Sequence, residues 1–127
     1  MLTAFSTRTT RYTPQEDGII LAEPREGTEQ TLADAEEEYR VLSATGRRYR
    51  LLLDLGGVRS VTREAREYYG GPKFAQLYSA MAAVVASPLS RTLGNFFIML
   101  NKPLVPTRMF ETREQARAWL HQQEPER

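Results

Sequence analysis

Two continuous runs of apolar residues stand out from an otherwise mixed pattern and predict buried strands. The run LLLDL at residues 51–55 is broken only by Asp54, and the run AMAAVVA at residues 80–86 is apolar throughout. A continuous run, unlike an alternating one, is typical of a strand that is covered on both faces in an α/β sheet. Periodicity alone leaves a buried helix open for residues 80–86, but the flanking chain breaks and the two valines favour a strand.

Two further segments predict additional strands. Residues 8–23 predict a β-hairpin, because threonines and Tyr12 precede the turn PQEDG and the apolar run IILA follows it. Residues 107–110 predict a short strand near the end of the chain, introduced by Pro106. The hairpin is expected to form one edge of the sheet.

Helix-start signals and apolar residues at helical spacing predict four helices among these strands. Thr62, Ser87 and Thr112 are suitable N-caps, and Pro88 takes the first position of the helix that follows Ser87. An apolar stripe predicts the first helix. The predicted helices cover residues 31–44, 62–69, 88–100 and 112–121, with a further helical turn at 74–77.

The resulting order of elements, ββαβαβαβα, predicts an α/β fold. Strands that alternate with helices imply a mainly parallel or mixed sheet with right-handed crossovers. We expect four to five strands with an N-terminal hairpin, flanked by about four to five helices. The 127 residues are expected to form one domain with a core at about residues 8–122.

The candidate binding surface is the loop and helix start at residues 56–69. It follows the central strand, and the carboxyl end of such a strand beside a helix N-terminus is a common place for ligand sites and favours anions. Gly56 and Gly57 permit close backbone approaches there. A purely structural alternative is that Thr62 only caps the helix and Ser60 only forms a turn. The predicted surface, for a protein partner or an anion, comprises Ser60, Thr62, Arg63, Arg66, Tyr68 and Tyr69.

A second group of polar residues lies on the predicted helix at residues 88–100. Arg91 and Asn95 are four residues apart and therefore share a helix face, next to Ser90. Gly94 costs a helix roughly 1 kcal/mol relative to alanine, so we expect it to admit close packing by a partner element or a ligand. Ser90, Arg91 and Asn95 are secondary binding candidates, and a solvent-exposed face with a packing glycine is the alternative.

Two charged clusters are expected to face solvent. Glu36, Glu37 and Glu38 are adjacent and would splay around the first helix, which predicts a solvated acidic face. The arginines at positions 47, 48 and 50 precede the central strand, where surface charges are common. Contact of these arginines with an anionic partner is the alternative.

The composition restricts the function classes further. A net charge of +1 provides no bulk attraction for nucleic acid, and no apolar run has the roughly 20 residues of a membrane span. The absence of cysteine excludes disulfides, thiolate chemistry and cysteine-based zinc sites. No zinc, calcium, P-loop or dinucleotide motif is present, so no metal or cofactor is predicted. With no signal-peptide pattern at the first residues, we expect a cytoplasmic protein.

The segment LLLDLGGVRSVTREAREYY resembles the core segment of STAS domains, in which a strand ending in Asp-Leu leads through a loop to a helix start. The segments DLGGVRSVTREAREYY, SPLSRTLGNFF, NKPLVPTRMF and the final AWL are similar to those of a small, uncharacterised bacterial STAS-like family. The resemblance covers about residues 17–120. It implies the SpoIIAA-like fold of anti-sigma-factor antagonists and a regulatory role through protein–protein interaction.

The resemblance does not extend to the phosphorylation motif of STAS domains. Phosphorylatable members have Asp-Ser-Ser-Gly or a close variant at the helix start, where this chain has TREA at residues 62–65. Arg63 takes the usual phosphoserine position, and Ser60 and Thr62 are the hydroxyls that remain nearby. A phosphorylation switch of the usual kind is therefore not implied.

Three functions are compatible with this sequence. The favoured one is a non-catalytic regulatory module that binds a protein partner through residues 56–69, with a homodimer left open. The alternative is a carrier of a small apolar, lipid-like ligand, because STAS-like folds are similar in layout to CRAL-TRIO folds. The run FFIML and the alanine-rich strand would line its pocket. A hydrolase that uses Ser60 or Thr62 is the least favoured, since the one histidine, His121, lies far away in sequence.

Overall fold

The computed structural model describes residues 2–101 and 104–123, and only the backbone at residues 96, 97 and 99–101. The strands are β1 (Phe5–Ser6), β2 (Thr10–Pro14), β3 (Ile19–Pro24), β4 (Thr28–Gln30), β5 (Tyr49–Asp54), β6 (Val58–Val61), β7 (Tyr78–Val84) and β8 (Thr107–Phe110). The helices are α1 (Leu32–Ser43), α2 (Arg63–Tyr69), α3 (Pro72–Leu77), α4 (Pro88–Asn101) and α5 (Arg113–Gln122). None of these helices is both long and apolar enough to cross a membrane.

Six of the strands form one mixed sheet in the order β1-β2-β3-β5-β7-β8. β2 is antiparallel to β1 and β3, which confirms the predicted N-terminal hairpin edge, and β3, β5, β7 and β8 run parallel. β4 and β6 pair in parallel as a separate two-stranded sheet. The predicted α/β class is confirmed, but the strand count is higher than expected. The extra strands are short, and two of them, β4 and β6, depend on partners that are distant in sequence, such as Ser60 opposite Glu29.

Residues 80–84 of the apolar run lie in strand β7, as predicted, and residues 85 and 86 follow the strand. The sheet is covered on both faces. Alternation along the strand sends Ala80 and Ala82 to one face and Met81 to the other. On the first face, α5 packs closely because the contacting residues of the strand are small. That cluster contains Ile19, Leu21, Leu52, Ala80, Ala82, Val84, Ala116 and Leu120.

The opposite face of the sheet carries the larger core and the other helices. Leu42 of α1 and Phe74 and Leu77 of α3 pack there against the strands, with Tyr69 of α2 at the margin. The strand residues of this cluster are Tyr12, Ile20, Ala22, Tyr49, Leu51, Tyr78 and Met81. This is the face on which the candidate site lies.

Two glycines make close approaches that a side chain would prevent. A Cβ atom on Gly57 would lie 2.5 Å from the carbonyl oxygen of Pro24 and 2.8 Å from that of Arg25. A Cβ atom on Gly94 would lie 2.6 Å from Sδ of Met109, on the neighbouring strand β8. The prediction that Gly94 admits a closely packed element is therefore confirmed, and the element is β8. The predicted chain break at residues 101–103 lies mostly outside the described residues, as does the tail beyond residue 123.

Candidate functional site

The hydroxyl groups predicted for the partner surface are engaged in local structure. Ser60 lies in β6, where its Oγ donates a hydrogen bond to Oε2 of Glu29 at 2.9 Å. Thr62 caps α2, because its Oγ1 accepts a hydrogen bond from the backbone N of Ala65 at 3.2 Å. A phosphoryl group on Ser60 would lie beside the Glu29 carboxylate and be repelled by it.

The remaining predicted residues lie on two sides of the short helix α2. Arg63 is largely exposed and forms an ion pair with Glu67 at 3.1 Å. Tyr68 packs edge-to-face against Tyr39 and Tyr69, with ring centroids 6.4 and 6.3 Å apart. Arg66 and Tyr69 line a cavity beneath the helix. The structure therefore separates the predicted set into an outer group near Arg63 and an inner group at the cavity wall.

The secondary candidates do not share one surface. Ser90 is 1% exposed because it belongs to the cap of α4, in which the Ser87 backbone N donates to Ser90 Oγ at 3.0 Å and the Ser90 backbone N donates to Ser87 Oγ at 3.1 Å. Arg91 is half exposed and forms an ion pair with Glu111 at 3.1 Å, and Asn95 is exposed. Ser90 is thus separated by burial from the other two.

A partly enclosed cavity lies between the sheet and the helices on its larger face. Its volume is about 100 Å³. Its walls are mainly apolar, and its polar lining comes from Thr10, Gln30, Glu38, Arg66 and Thr107 together with two tyrosines. The apolar walls include Leu51, Leu53, Val58, Val61, Met81, Ala83, Leu93, Ile98 and Met109.

Two small residues lie in the wall of this cavity, and one of them leaves space. Ala83 contributes a single methyl group from β7, so the central strand is recessed there. Gly94 also lines the cavity, but its missing side chain leaves no gap, because a Cβ atom there would lie 2.6 Å from Sδ of Met109. Ala83 and Ile98 belong to the alanine-rich strand and the FFIML run that were predicted to line a pocket, while the side chains of residues 96, 97, 99 and 100 lie outside the described part.

A buried acidic group forms part of this cavity wall. Glu38 of α1 is 3% exposed, and its Oε2 accepts a hydrogen bond from the hydroxyl of Tyr78, which is fully buried. Burial raises the pKa of Glu38 to about 7, although interaction with the hydroxyls of Tyr78 and Tyr12 offsets part of that rise. Burial also raises the pKa of Tyr78 well above its usual value. At neutral pH, Glu38 is therefore only partly ionised, while the hydroxyls of Tyr12 and Tyr78 stay protonated.

The prediction that residues 36–38 form a solvated face is wrong for Glu38. Glu36 is exposed and Glu37 is half-buried, but Glu38 faces the core. The helical spacing contained a signal for this, since position 38 lies three residues after Ala35 and four before Leu42, and both of those are fully buried.

The surface interpretation of the arginines before β5 is also wrong for Arg50, which is 5% exposed. Its guanidinium donates hydrogen bonds to the backbone carbonyls of Leu120 at 2.9 Å, Gln123 at 3.4 Å and Asp17. These carbonyls include the last ones of α5, where a cation complements the helix dipole. Arg50 therefore fastens the end of α5 to the sheet.

The carboxyl ends of the parallel strands, where a ligand site was expected, are bridged by an ion-pair network. Arg113 at the start of α5 forms ion pairs with Asp54 at 2.8 Å and with Glu23 at 2.9 Å. Asp54 is the last residue of β5, and Glu23 lies near the end of β3. Among the described residues, no group of three or more acidic or histidine side chains is arranged to hold a metal ion. The mainly apolar cavity lies apart from this network and is a candidate site for a small molecule.

Comparison with known proteins places the fold. A SpoIIAA-like structure, that of an uncharacterised protein of the DUF3478 family from Shewanella loihica PV-4, has a TM-score of 0.63 and 16% identity, and the match covers 91% of this chain and 98% of that chain. A protein of unknown function from Arthrobacter sp. FB24 is 31% identical, with 88% of this chain and 99% of that chain covered and a TM-score of 0.34. No curated protein matches the chain.

The predicted SpoIIAA-like fold is therefore confirmed, and the resemblance in sequence extends to a defined family. The family profile described as a domain of unknown function, DUF7793, matches residues 13–124, and the chain belongs to that family.

Proposed function

We propose that this SpoIIAA-like chain is a binding module whose cavity takes a small, mainly apolar ligand. The observation that supports the proposal is the partly enclosed cavity with walls from the central strands and from α4. Ligand pockets are typically concave and apolar, with a few polar groups that orient the ligand. The tyrosines and Glu38 provide such groups at one part of this wall.

The packing of the protein supports occupancy by a ligand. Protein interiors are close-packed, and the atoms that line an unfilled space lose contacts on that side. Apolar cavities tend to stay dry and to bind small apolar molecules. A ligand of suitable size would therefore restore contacts to Met81, Ala83 and Ile98, which line the space.

The proposal is tested by calorimetric titration of the chain with 1-hexanol as an apolar probe. Ala83→Leu places an isobutyl group in the cavity wall and is expected to abolish binding. Ala86→Leu adds the same side chain at an exposed position just beyond β7 and is expected to leave binding unchanged. Equal binding of hexanol by the Ala83→Leu chain, or no binding by the unaltered chain, would contradict the proposal.

A second function, docking of a protein partner on residues 56–69, is supported by the two-sided position of α2. Arg63 and Glu67 are exposed on the helix, whereas Arg66 and Tyr69 line the cavity. One short helix thus connects the predicted partner surface to the ligand space, and a partner on that surface would respond to the ligand. Ser60 and Tyr68 complete the outer surface in this proposal.

Partner docking is tested with a charge reversal at the exposed arginine. Arg63→Glu is compared with Arg40→Glu, an exposed arginine that also forms an ion pair within its own helix. We expect Arg63→Glu to lose a partner that Arg40→Glu retains, measured by quantitative capture from the native host and by light scattering for a homodimer. Retention of the same partners and the same mass by both variants would exclude this surface.

A further inference from the structure

A second concave surface lies at the amino ends of the central parallel strands, at the opposite end of the sheet from the ion-pair network. This arginine groove is open to solvent, and its lining includes Arg47, Arg48, Arg50, Ser79 and His121. Its volume is about 910 Å³, a size that suits a small-molecule site. Within the described part of the chain, no residue lines both this groove and the apolar cavity, so the two are separate sites.

The arginines of the groove are held by neutral groups. Arg48 donates a hydrogen bond from Nη2 to the carbonyl of Tyr78 at 3.0 Å, and Arg50 donates to three backbone carbonyls. Arg47 is exposed and lies over the ring of Tyr49. Among residues 2–101 and 104–123, none of the three arginines forms an ion pair with a carboxylate. The groove therefore carries positive charge that its own contacts leave available to an anion.

The acidic residues of the groove lie away from Arg48. Glu16 and Asp17 precede β3, whereas the Arg48 guanidinium contacts the first residue of β7, and β5 runs between those two strands. His121 lies on the acidic side, with Nδ1 at 3.9 Å from Oδ2 of Asp17. Two strand spacings are about 10 Å, so an anion beside Arg48 is separated from these carboxylates.

Two buried polar atoms of the groove residues have no hydrogen-bond partner. Across the described chain, the buried side-chain nitrogen and oxygen atoms in this condition are Nε of Arg48 and Oγ of Ser79. Ser79 is the extra residue of a β-bulge, because its neighbours Tyr78 and Ala80 pair with consecutive residues of β5. Bulges often re-aim a side chain beside a binding site. An unpartnered buried polar atom is costly, and a bound ion is one of the few ways to satisfy it.

From these observations we infer that the arginine groove binds a small phosphorylated molecule, whose phosphate group pairs with Arg47 and Arg48 and accepts a hydrogen bond from Ser79. This site is additional to the apolar cavity and to the surface at residues 56–69. A phosphate group offers three acceptor oxygens, enough for both unpartnered atoms and for the charge of Arg47. Both atoms are covered in the structure, so the two side chains turn towards the groove when the phosphate binds.

Binding is tested with inorganic phosphate as the probe, by NMR titration of backbone amides and arginine Nε–H groups at about pH 7 and constant ionic strength. We expect saturable shifts at the Nε–H of Arg48 and the amide of Ser79, with acetate binding at least about fivefold more weakly because it carries one charge and two oxygens. Equal affinity for acetate would overturn the inference. So would shifts of the same size at Arg108, which is exposed and lies outside the groove.

A pair of matched variants tests the assigned arginine. Arg48→Gln removes the charge but keeps an amide donor for the carbonyl of Tyr78, and it is expected to weaken phosphate binding at least about fivefold. Arg108→Gln is the control, because Arg108 is exposed and lies over the ring of Phe110 at 5.4 Å, much as Arg47 lies over Tyr49. Its affinity for phosphate should change by less than about twofold. Equal affinities in the two variants would overturn the inference.

Ser79→Ala provides a second test, in case Arg48→Gln does not fold. It removes only the hydroxyl and is expected to weaken phosphate binding at least about twofold. Without phosphate, its stability should be equal to or higher than that of the parent chain, because the unpartnered oxygen is gone. A plain structural role of the hydroxyl would give the reverse, a loss of stability with unchanged phosphate affinity, and that result would overturn the inference.

Discussion

The hydroxyl of Tyr78 donates a hydrogen bond to Oε2 of Glu38, and this contact joins the start of strand β7 to the middle of helix α1 inside the core. Glu38 is 3% exposed and Tyr78 is fully buried. Carboxyl groups whose pKa is strongly raised by burial are common at functional sites, and their burial lowers stability when they ionise. This pair therefore has consequences for both stability and binding.

The first consequence is a pH dependence of stability between about pH 4.5, the usual pKa of the group, and about pH 7, its pKa in the folded chain. In that range the folded state binds more protons than the unfolded state, so the free energy of unfolding decreases as pH rises. The decrease attributable to Glu38 is about 3 kcal/mol. Glu38→Gln is expected to remove it, as measured by urea unfolding at a series of pH values.

The matched control for this prediction is Glu36→Gln, which removes the same charge from an exposed position of the same helix. In this variant the free energy of unfolding should decrease with rising pH as steeply as in the parent chain. The pKa of Asp34 is lowered despite its burial, since the Arg8 hydrogen bond and the Thr31 contacts outweigh desolvation. The Asp34 carboxylate therefore stabilises the fold, and this contribution is lost at lower pH, as the carboxylate becomes protonated. If the free energy of unfolding depends on pH in the same way in Glu38→Gln and Glu36→Gln, Glu38 is not buried as described.

A pair of adjacent glycines allows a sharp test of the close approach after β5. In Gly57→Ala the new Cβ atom meets two backbone carbonyl oxygens, those of Pro24 and Arg25, at 2.5 and 2.8 Å. In Gly56→Ala the nearest atom is Oδ1 of the Asp54 side chain at 3.1 Å, and a side chain can move. Urea unfolding should show a loss of about 2 kcal/mol or more for Gly57→Ala and less than about 1 kcal/mol for Gly56→Ala. Equal losses would contradict the described approach.

The cavity itself predicts opposite tolerances for neighbouring alanines of β7. Ala83 lines the cavity, so Ala83→Val should fill space and change the free energy of unfolding by less than about 1 kcal/mol, or raise it. Ala82 is fully buried against α5, so Ala82→Val should overpack that face and lower stability by about 1–3 kcal/mol. Chemical unfolding measures both. A comparable loss in the two variants would mean that the cavity is closed in solution.

Local signals in the sequence were enough to predict most of the architecture. The run at residues 51–55, the hairpin and the caps at Thr62 and Thr112 depend on residues within a few positions of one another, and the structure has a strand, a hairpin and helix starts there. The polar residues inside the core were not predicted, because their burial depends on partners far along the chain. Glu38 and its partner Tyr78 are 40 residues apart in sequence.

Strand β6 was missed for the same reason. Its residues 58–61 follow two glycines and looked like a loop, and they form a strand because β4 lies alongside them. The cavity lies where α2 and α4 meet the sheet, so no single segment could have predicted it. Ala83, a small residue in its wall, is visible in the sequence, but the sequence does not show whether the space beside such a residue is filled.

The attachment of α5 depends on Arg50, and its replacement gives a final test. In Arg50→Met the hydrogen bonds to the carbonyls of Leu120 and Gln123 are lost, although the apolar part of the side chain is kept. We expect a loss of stability of about 2 kcal/mol, because hydrogen bonds from a charged group to buried acceptors are among the stronger ones.

The amide protons of α5 should exchange faster in this variant than those of β5, because the helix would open before the sheet unfolds. Arg47→Met is the matched control, since Arg47 is exposed and lies over the ring of Tyr49 at 5.8 Å. Its effect should stay within about 1 kcal/mol, with no selective change in the exchange of α5. If Arg50→Met and Arg47→Met behave alike, the carbonyls at the end of α5 are satisfied in another way, and other contacts of the helix, such as those of Ala116 and Leu120 and the ion pairs of Arg113, hold it in place.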